Sequence, residues 1–264
     1  MLSEILTFIF FVLIGLEIRE GLQRPKDAML PAISALGGMA LPALIFILLV
    51  PGSRAWAVSM PTDVALAIGA LSILGKRVNP AVRIFLLTLA VADDFFSLVV
   101  IGIFFRDDLH LASAIYTLGA AAVGFILPFR HRLIAILSPI ATFAIIPVYI
   151  FINLLTKLDF SLSTEKISLA VVVARVIGKV LGITLFAFLF TRFTSLKLPP
   201  ELDLKEIVGV GFLAGMGLTV SIVIAEITLQ TESELAQVRM GLFFAAIVSG
   251  LCGVLWLKRF PASL

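Results

Sequence analysis

"SMPTDVALAIG", residues 59–69, interrupts a run that is otherwise apolar enough to cross a membrane. Pro61 lacks a backbone donor, and the side-chain oxygens of Thr62 and Asp63 can bond the backbone groups that an interrupted helix releases. A second interruption stands far along the chain in "LAGMGLTVS", residues 213–221, where Gly215 and Gly217 permit a break. Each interrupted run is the middle member of three, over about 29–105 and about 167–257. The two triplets start five spans apart, an odd number, so they face opposite ways across the bilayer. The pattern predicts an inverted-topology repeat with two broken, crossing helices. Such crossings place half-helix ends and unwound backbone at the midplane, where coupling ions bind. Gly and Pro are frequent in membrane helices in any case; their matching places in the two triplets carry the reading.

The rest of the chain agrees with an all-α polytopic membrane protein. It has 264 residues, 61% of them hydrophobic and 14% charged, with a mean hydropathy of +1.16. A soluble domain is nearer half apolar and a quarter charged. Runs of about 20 apolar residues suit membrane helices, and nine are expected, at about 2–18, 29–50, 57–75, 82–105, 111–128, 139–156, 167–191, 206–229 and 237–257. The formal charge of +3 gives no reason to expect nucleic acid, because the basic residues sit in short loops. Of the 20 Lys and Arg, only Arg175 and Lys179 lie deep in a span. The remainder divide thirteen to five between alternate sides, and the richer side is expected to face the cytoplasm. The C-terminus is then cytoplasmic and the N-terminus outside. The chain begins at once with a span, so either a preceding helix is missing or the chain inserts unaided. No linker divides it, and residues 1–264 read as one membrane domain. The single cysteine, Cys252, can form no internal disulfide.

The buried charges bear on function. In "LAVADDFFSLVV", residues 89–100, Asp93 and Asp94 stand side by side in an apolar run. One carboxylate at the bilayer centre costs roughly 3 kcal/mol or more, and each charge disfavours the other. They differ by about 100° around a helix, so one can face a cavity while the other meets a neighbour. An adjacent pair suits a site that alternates between protons and a hard cation, which carboxylate oxygens ligate well. Asp63, beside a break, is placed to balance the positive end of a half-helix. Lys179 is the expected counter-charge to the acids. Arg175 lies one turn earlier on a similar face, and the sequence leaves open whether it pairs with Glu226, Asp93 or neither. Glu4 reads equally as a site acid or an end-of-helix residue. No phosphate loop, metal-spaced Cys/His set or nucleophilic triad is present, so no cofactor and no enzymatic activity are expected.

The runs "FFVLIGLEIRE", "ALGGMALPAL", "PTDVALAIGALSILGKRV", "FLLTLAVADDFFSLVVIGIFF", "VIGKVLGITLF" and "GFLAGMGLTVSIVIA" follow one another over most of the chain. In that combination the sequence resembles the NhaA family of sodium/proton antiporters. The resemblance implies an inner (plasma) membrane protein of bacteria that exchanges Na⁺ or Li⁺ for H⁺, two protons per sodium. It implies Asp93 and Asp94 as the exchanging acids, Thr62 and Asp63 as the Thr-Asp of the broken helix, and Lys179 as the membrane lysine. Glu4 falls where the family commonly has an aspartate. Its partners would be lipid, sodium ions and protons, with a homodimer left open. Members typically have twelve spans; here the first is expected to be absent. About two more are expected to be lost between "FFRDDLHLAS" and "VGFILPFRHR", with the stretch whose histidine serves the family's pH response. Phe95-Phe96-Ser97 stands where the family usually has Leu-Gly-Ala. The alternatives are a transport-inactive, shortened member acting only as a membrane interaction protein, and a symporter of similar fold for an organic anion.

Overall fold

The computed structural model describes residues 8–9, 11–13, 15–16, 19, 25–75, 78–104, 111–127, 130–140, 144–194 and 196–260. Glu4 and much of the expected span 2–18 lie outside them. Every regular element among the described residues is a helix. The chain runs through α1 (Pro25–Leu49), a 3-10 helix (Arg54–Ser59), α2 (Val64–Leu74), α3 (Pro80–Phe104), α4 (Leu111–Ile126), α5 (Arg130–Ile140) and α6 (Ile146–Asn153). It continues through α7 (Lys166–Val173), a π turn (Ala174–Gly178), α8 (Lys179–Phe193), α9 (Leu204–Ala214), α10 (Thr219–Thr228) and α11 (Glu232–Arg259).

Five stretches among the described residues are long and apolar enough to cross a membrane: Ala28–Leu49, Arg54–Leu74, Pro80–Phe104, Lys166–Phe193 and Glu232–Arg259. A sixth is α9 with α10, bent by 50° at the break. Large apolar side chains point outward from these spans, Ile73 being 76% exposed and Phe193 77%. Lipid can cover such a surface, whereas in water patches of this kind mark contact sites. These six correspond to the expected spans at 29–50, 57–75, 82–105, 167–191, 206–229 and 237–257. The helix at 111–126 has 16 residues. Within the span expected at 139–156, residues 144–153 are helical, and residues 141–143 lie outside the described ones. Pro139 lies in α5 and Pro147 near the start of α6, and neither residue can donate a helical hydrogen bond.

Both interruptions occur where the sequence places them, at residues 60–63 and 215–218. How they pack reveals their relative direction. One core cluster joins the first half of the first broken span (Ala55, Ala57, Val58) to the second half of the other (Val220, Ile222, Ile224). A second cluster joins α2 (Ala67, Ala70, Leu71) to α9 (Ile207, Val210, Leu213). First half beside second half, on both sides of the breaks, is what two antiparallel broken spans produce. The breaks therefore lie between two apolar cores.

The span carrying Arg175 and Lys179 is held against α1 by backbone approach. A Cβ on Gly182 would run into the Gly37 backbone, and one on Gly178 would sit 2.8 Å from the Pro42 Cα. Small residues at such crossings let membrane helices pack closely without a solvent-driven hydrophobic effect.

Candidate functional site

The crossing of the broken spans brings four helix ends together, and each pair of like ends meets one opposite charge. Asp63 is the N-cap of α2 and accepts from the Leu66 amide at 3.4 Å. Its other oxygen accepts from Thr219 of the second broken span, from the hydroxyl at 2.7 Å and the amide at 3.3 Å. Thr219 opens α10, whose own N-cap residue, Leu218, offers no side-chain bond. Asp63 thus caps two half-helices at once. The first turn of each carries unmet N–H groups and a partial positive charge of about +0.5.

Arg175 does the reverse. Its Nη1 donates to the Val58 carbonyl at 2.7 Å, its Nη2 to the Pro61 carbonyl at 2.7 Å, and its Nε to the Gly215 carbonyl at 3.1 Å. Nη1 also donates to Ser221 Oγ at 2.8 Å. Val58 and Pro61 belong to the end of the 3-10 helix and its break; Gly215 is the C-cap of α9. A guanidinium has five N–H donors, and four are used here, three on carbonyls that an interrupted span leaves without a helical partner. Neither Glu226 nor Asp93 shares a hydrogen bond or ion pair with it, and Glu226 instead faces Arg239 at 3.7 Å. Gly217 lies against this contact: a Cβ there would collide with the guanidinium and with the Pro61 carbonyl. A Cβ on Gly215 would meet Ser249 Oγ.

One turn beyond Arg175, Lys179 reaches α3. Its Nζ lies 2.6 Å from Asp93 Oδ2 and 3.0 Å from Thr62 Oγ1, and Thr62 donates in turn to the same carboxylate oxygen. Asp93 and Lys179 are wholly buried, and Asp94 is 4% exposed. Arg175 lies within the π turn that directly precedes the helix Lys179 opens. The extra residue in a π turn changes the helical phase locally, and here the two cations serve different partners. Asp93 Oδ1 has no hydrogen-bond partner among the described residues. The site is therefore a buried acid with one oxygen committed to an ammonium and a hydroxyl and the other uncommitted, beside a second buried acid. The oxygens of such a pair can hold a proton or a small hard cation.

Thr62, Asp63, Asp93, Asp94, Arg175, Lys179, Gly215 and Gly217 are all brought to this crossing, while Glu4 is outside the described residues. The sequence does not single out Thr219 or Ser221. A threonine directly after a glycine break, at the start of a half-helix, is the signal that points to the first; Ser221 has none.

The profile of the Na⁺/H⁺ antiporter 1 family matches residues 1–131 and 128–257. The chain belongs to the Na⁺/H⁺ antiporter 1 family. It is similar to the Na⁺/H⁺ antiporter NhaA of Actinobacillus pleuropneumoniae serotype 7, with 30% identity over 315 residues, 95% of this chain and 80% of that protein. It is 30% identical over 319 residues to the NhaA of Salmonella typhimurium, covering 97% of this chain and 82% of the relative. With NhaA 2 of Aliarcobacter butzleri the identity is 29% over 318 residues, 96% and 80%. The aligned lengths exceed the 264 residues of this chain, so these antiporters contain stretches with no counterpart here. The family profile matches in two pieces that meet at 128–131, just beyond the place where the sequence predicts a loss.

Proposed function

We propose that this multi-pass membrane protein exchanges Na⁺ or Li⁺ for H⁺ across the bacterial inner membrane, with Asp93 and Asp94 as the exchanging acids. The observation that carries the reading is the division of labour at the crossing. Asp63 and Arg175 are occupied with helix ends, whereas Asp93 is held through one oxygen only and keeps the other uncommitted, with Asp94 next to it on the same helix. Lys179 and Thr62 hold Asp93 while no cation is bound. An arriving sodium ion competes with the ammonium for the same carboxylate, and protons arriving from the other side displace the sodium.

With all three acids and both bases ionised, the crossing carries one net negative charge. One sodium ion neutralises it, whereas two protons leave it one unit positive. The loaded forms then differ by one charge, and the membrane potential drives the cycle by about 2.3 kcal/mol per 100 mV. Rocking of the broken-helix unit would expose the acids to each side in turn, as in other inverted-repeat transporters. The matches over almost the whole chain favour a transporter above a transport-inactive interaction protein.

The test is Na⁺-dependent proton flux in proteoliposomes. Wild-type protein should collapse an imposed pH gradient on addition of Na⁺ or Li⁺. Asp93→Asn and Asp94→Asn should each insert normally and lose that response, having lost a proton site and an anionic ligand. Exchange at the wild-type rate in either variant would overturn the assignment.

A further inference from the structure

We propose that Ser97 is an additional ligand for the transported cation, supplying a neutral oxygen one helical turn from Asp93. This inference rests on the exchange reading above and names a residue that the reading does not need.

Membrane helices normally dispose of a hydroxyl by donating it to the carbonyl four residues earlier, and this protein does so repeatedly. Ser34 donates to Leu30 at 2.8 Å, Thr88 to Ile84 at 2.9 Å, Thr191 to Ala187 at 2.8 Å and Thr228 to Ile224 at 2.8 Å. Ser97 is different. Its Oγ is buried, the residue being 2% exposed, and it has no hydrogen-bond partner among the described residues. The carbonyl it leaves unused belongs to Asp93. Leaving a hydroxyl buried and unmet is costly, so its position calls for a partner that comes and goes.

Asp93 shows the complementary deficit, since its Oδ1 is also buried and unpartnered while Oδ2 is committed. Residues four apart on a helix have Cβ atoms about 5–6 Å apart on one face. Oxygens ligating one cation of this size stand about 2.3–2.6 Å from it, so a single ion can bridge side chains at that spacing. Ser59, Thr184 and Ser249 are other buried hydroxyls without partners. Among the described residues, only Ser97 shares a helix face with an exchanging acid. A neutral ligand contributes to cation affinity without adding a titrating group, so the proton half of the cycle should not depend on it.

The experiment compares Ser97→Ala, Ser97→Cys and Ser97→Thr with wild type in proteoliposomes, and follows the Na⁺-dependent rise in melting temperature of each protein in detergent. Loss of the oxygen in the alanine and cysteine variants should raise the KM for Na⁺ about tenfold, the factor that corresponds to 1.4 kcal/mol. The maximal rate and its pH profile at saturating Na⁺ should hold. The Na⁺ concentration needed for thermal stabilisation should rise by the same factor, since stabilisation follows ligand concentration over Kd. Ser97→Thr, which keeps the hydroxyl, should restore both. Unchanged Na⁺ dependence in Ser97→Ala, or a moved pH profile with an unchanged KM, would overturn the proposal while leaving the exchange reading intact. A wild-type protein without exchange would sink the exchange reading and this one with it.

Discussion

Arg175 donates to three carbonyls that no helix satisfies, and its loss should be felt as three separate deficits. An unmet buried acceptor costs about 1–3 kcal/mol, so Arg175→Leu should lower stability by at least about 3 kcal/mol, read as a fall in the melting midpoint in detergent. Arg175→Lys keeps the charge but not the fork of donors. It should recover part of the stability and less of the exchange rate; full recovery of both by lysine would mean that charge alone, not the carbonyl contacts, is what the crossing requires. The same residue marks where reading the sequence stops. Asp93, Asp94 and Lys179 are legible because an ionised side chain in an apolar run demands a compensating group. The partners of Arg175 are backbone carbonyls, which no letter of the sequence announces. Which acid it would choose stays open until the geometry shows that it chooses none. Thr219 is hidden for a similar reason, because its bond to Asp63 joins residues 156 positions apart.

The element that turns two spans into a crossing is the break itself, and Gly217 is its tightest point. A methyl group there would collide with both the Arg175 guanidinium and the Pro61 carbonyl, neither of which is a flexible end free to retreat. Gly217→Ala should therefore lower the melting midpoint and sharply reduce exchange. Gly69→Ala in α2, where a Cβ meets nothing within 4 Å, should leave both near wild type. Equal effects of the two substitutions would show that the breaks tolerate a change of shape. At this scale the sequence is at its most informative. A proline beside Thr-Asp and two glycines two apart interrupt apolar runs at matching places in two triplets, and both breaks lie there in the structure. The π turn before Lys179 is invisible in the sequence, since nothing in the order of residues in "ARVIG" marks the extra residue.

For the whole molecule, direction across the membrane is set outside the packed core. The antiparallel arrangement of the broken spans follows from which halves share a core, yet turning the entire protein over would preserve every internal contact. Only the loops distinguish the two orientations. The positive-inside rule places the basic side in the cytoplasm, so the loop between α8 and α9 should be cytoplasmic and the loop between α6 and α7 should face the opposite side. Ser161 and Glu201 are exposed in those two connections, and the Ser161 side chain donates to Asp159 nearby. In a Cys252→Ala background, Ser161→Cys in intact cells should react with a membrane-impermeant thiol reagent added outside. Glu201→Cys should react only after the membrane is opened. The reverse pattern would invert the assignment of sides and, with it, the face from which sodium reaches Asp93 and Asp94. Labelling of both positions from outside would mean that an even number of crossings separates these loops, contradicting the span that carries Arg175 and Lys179.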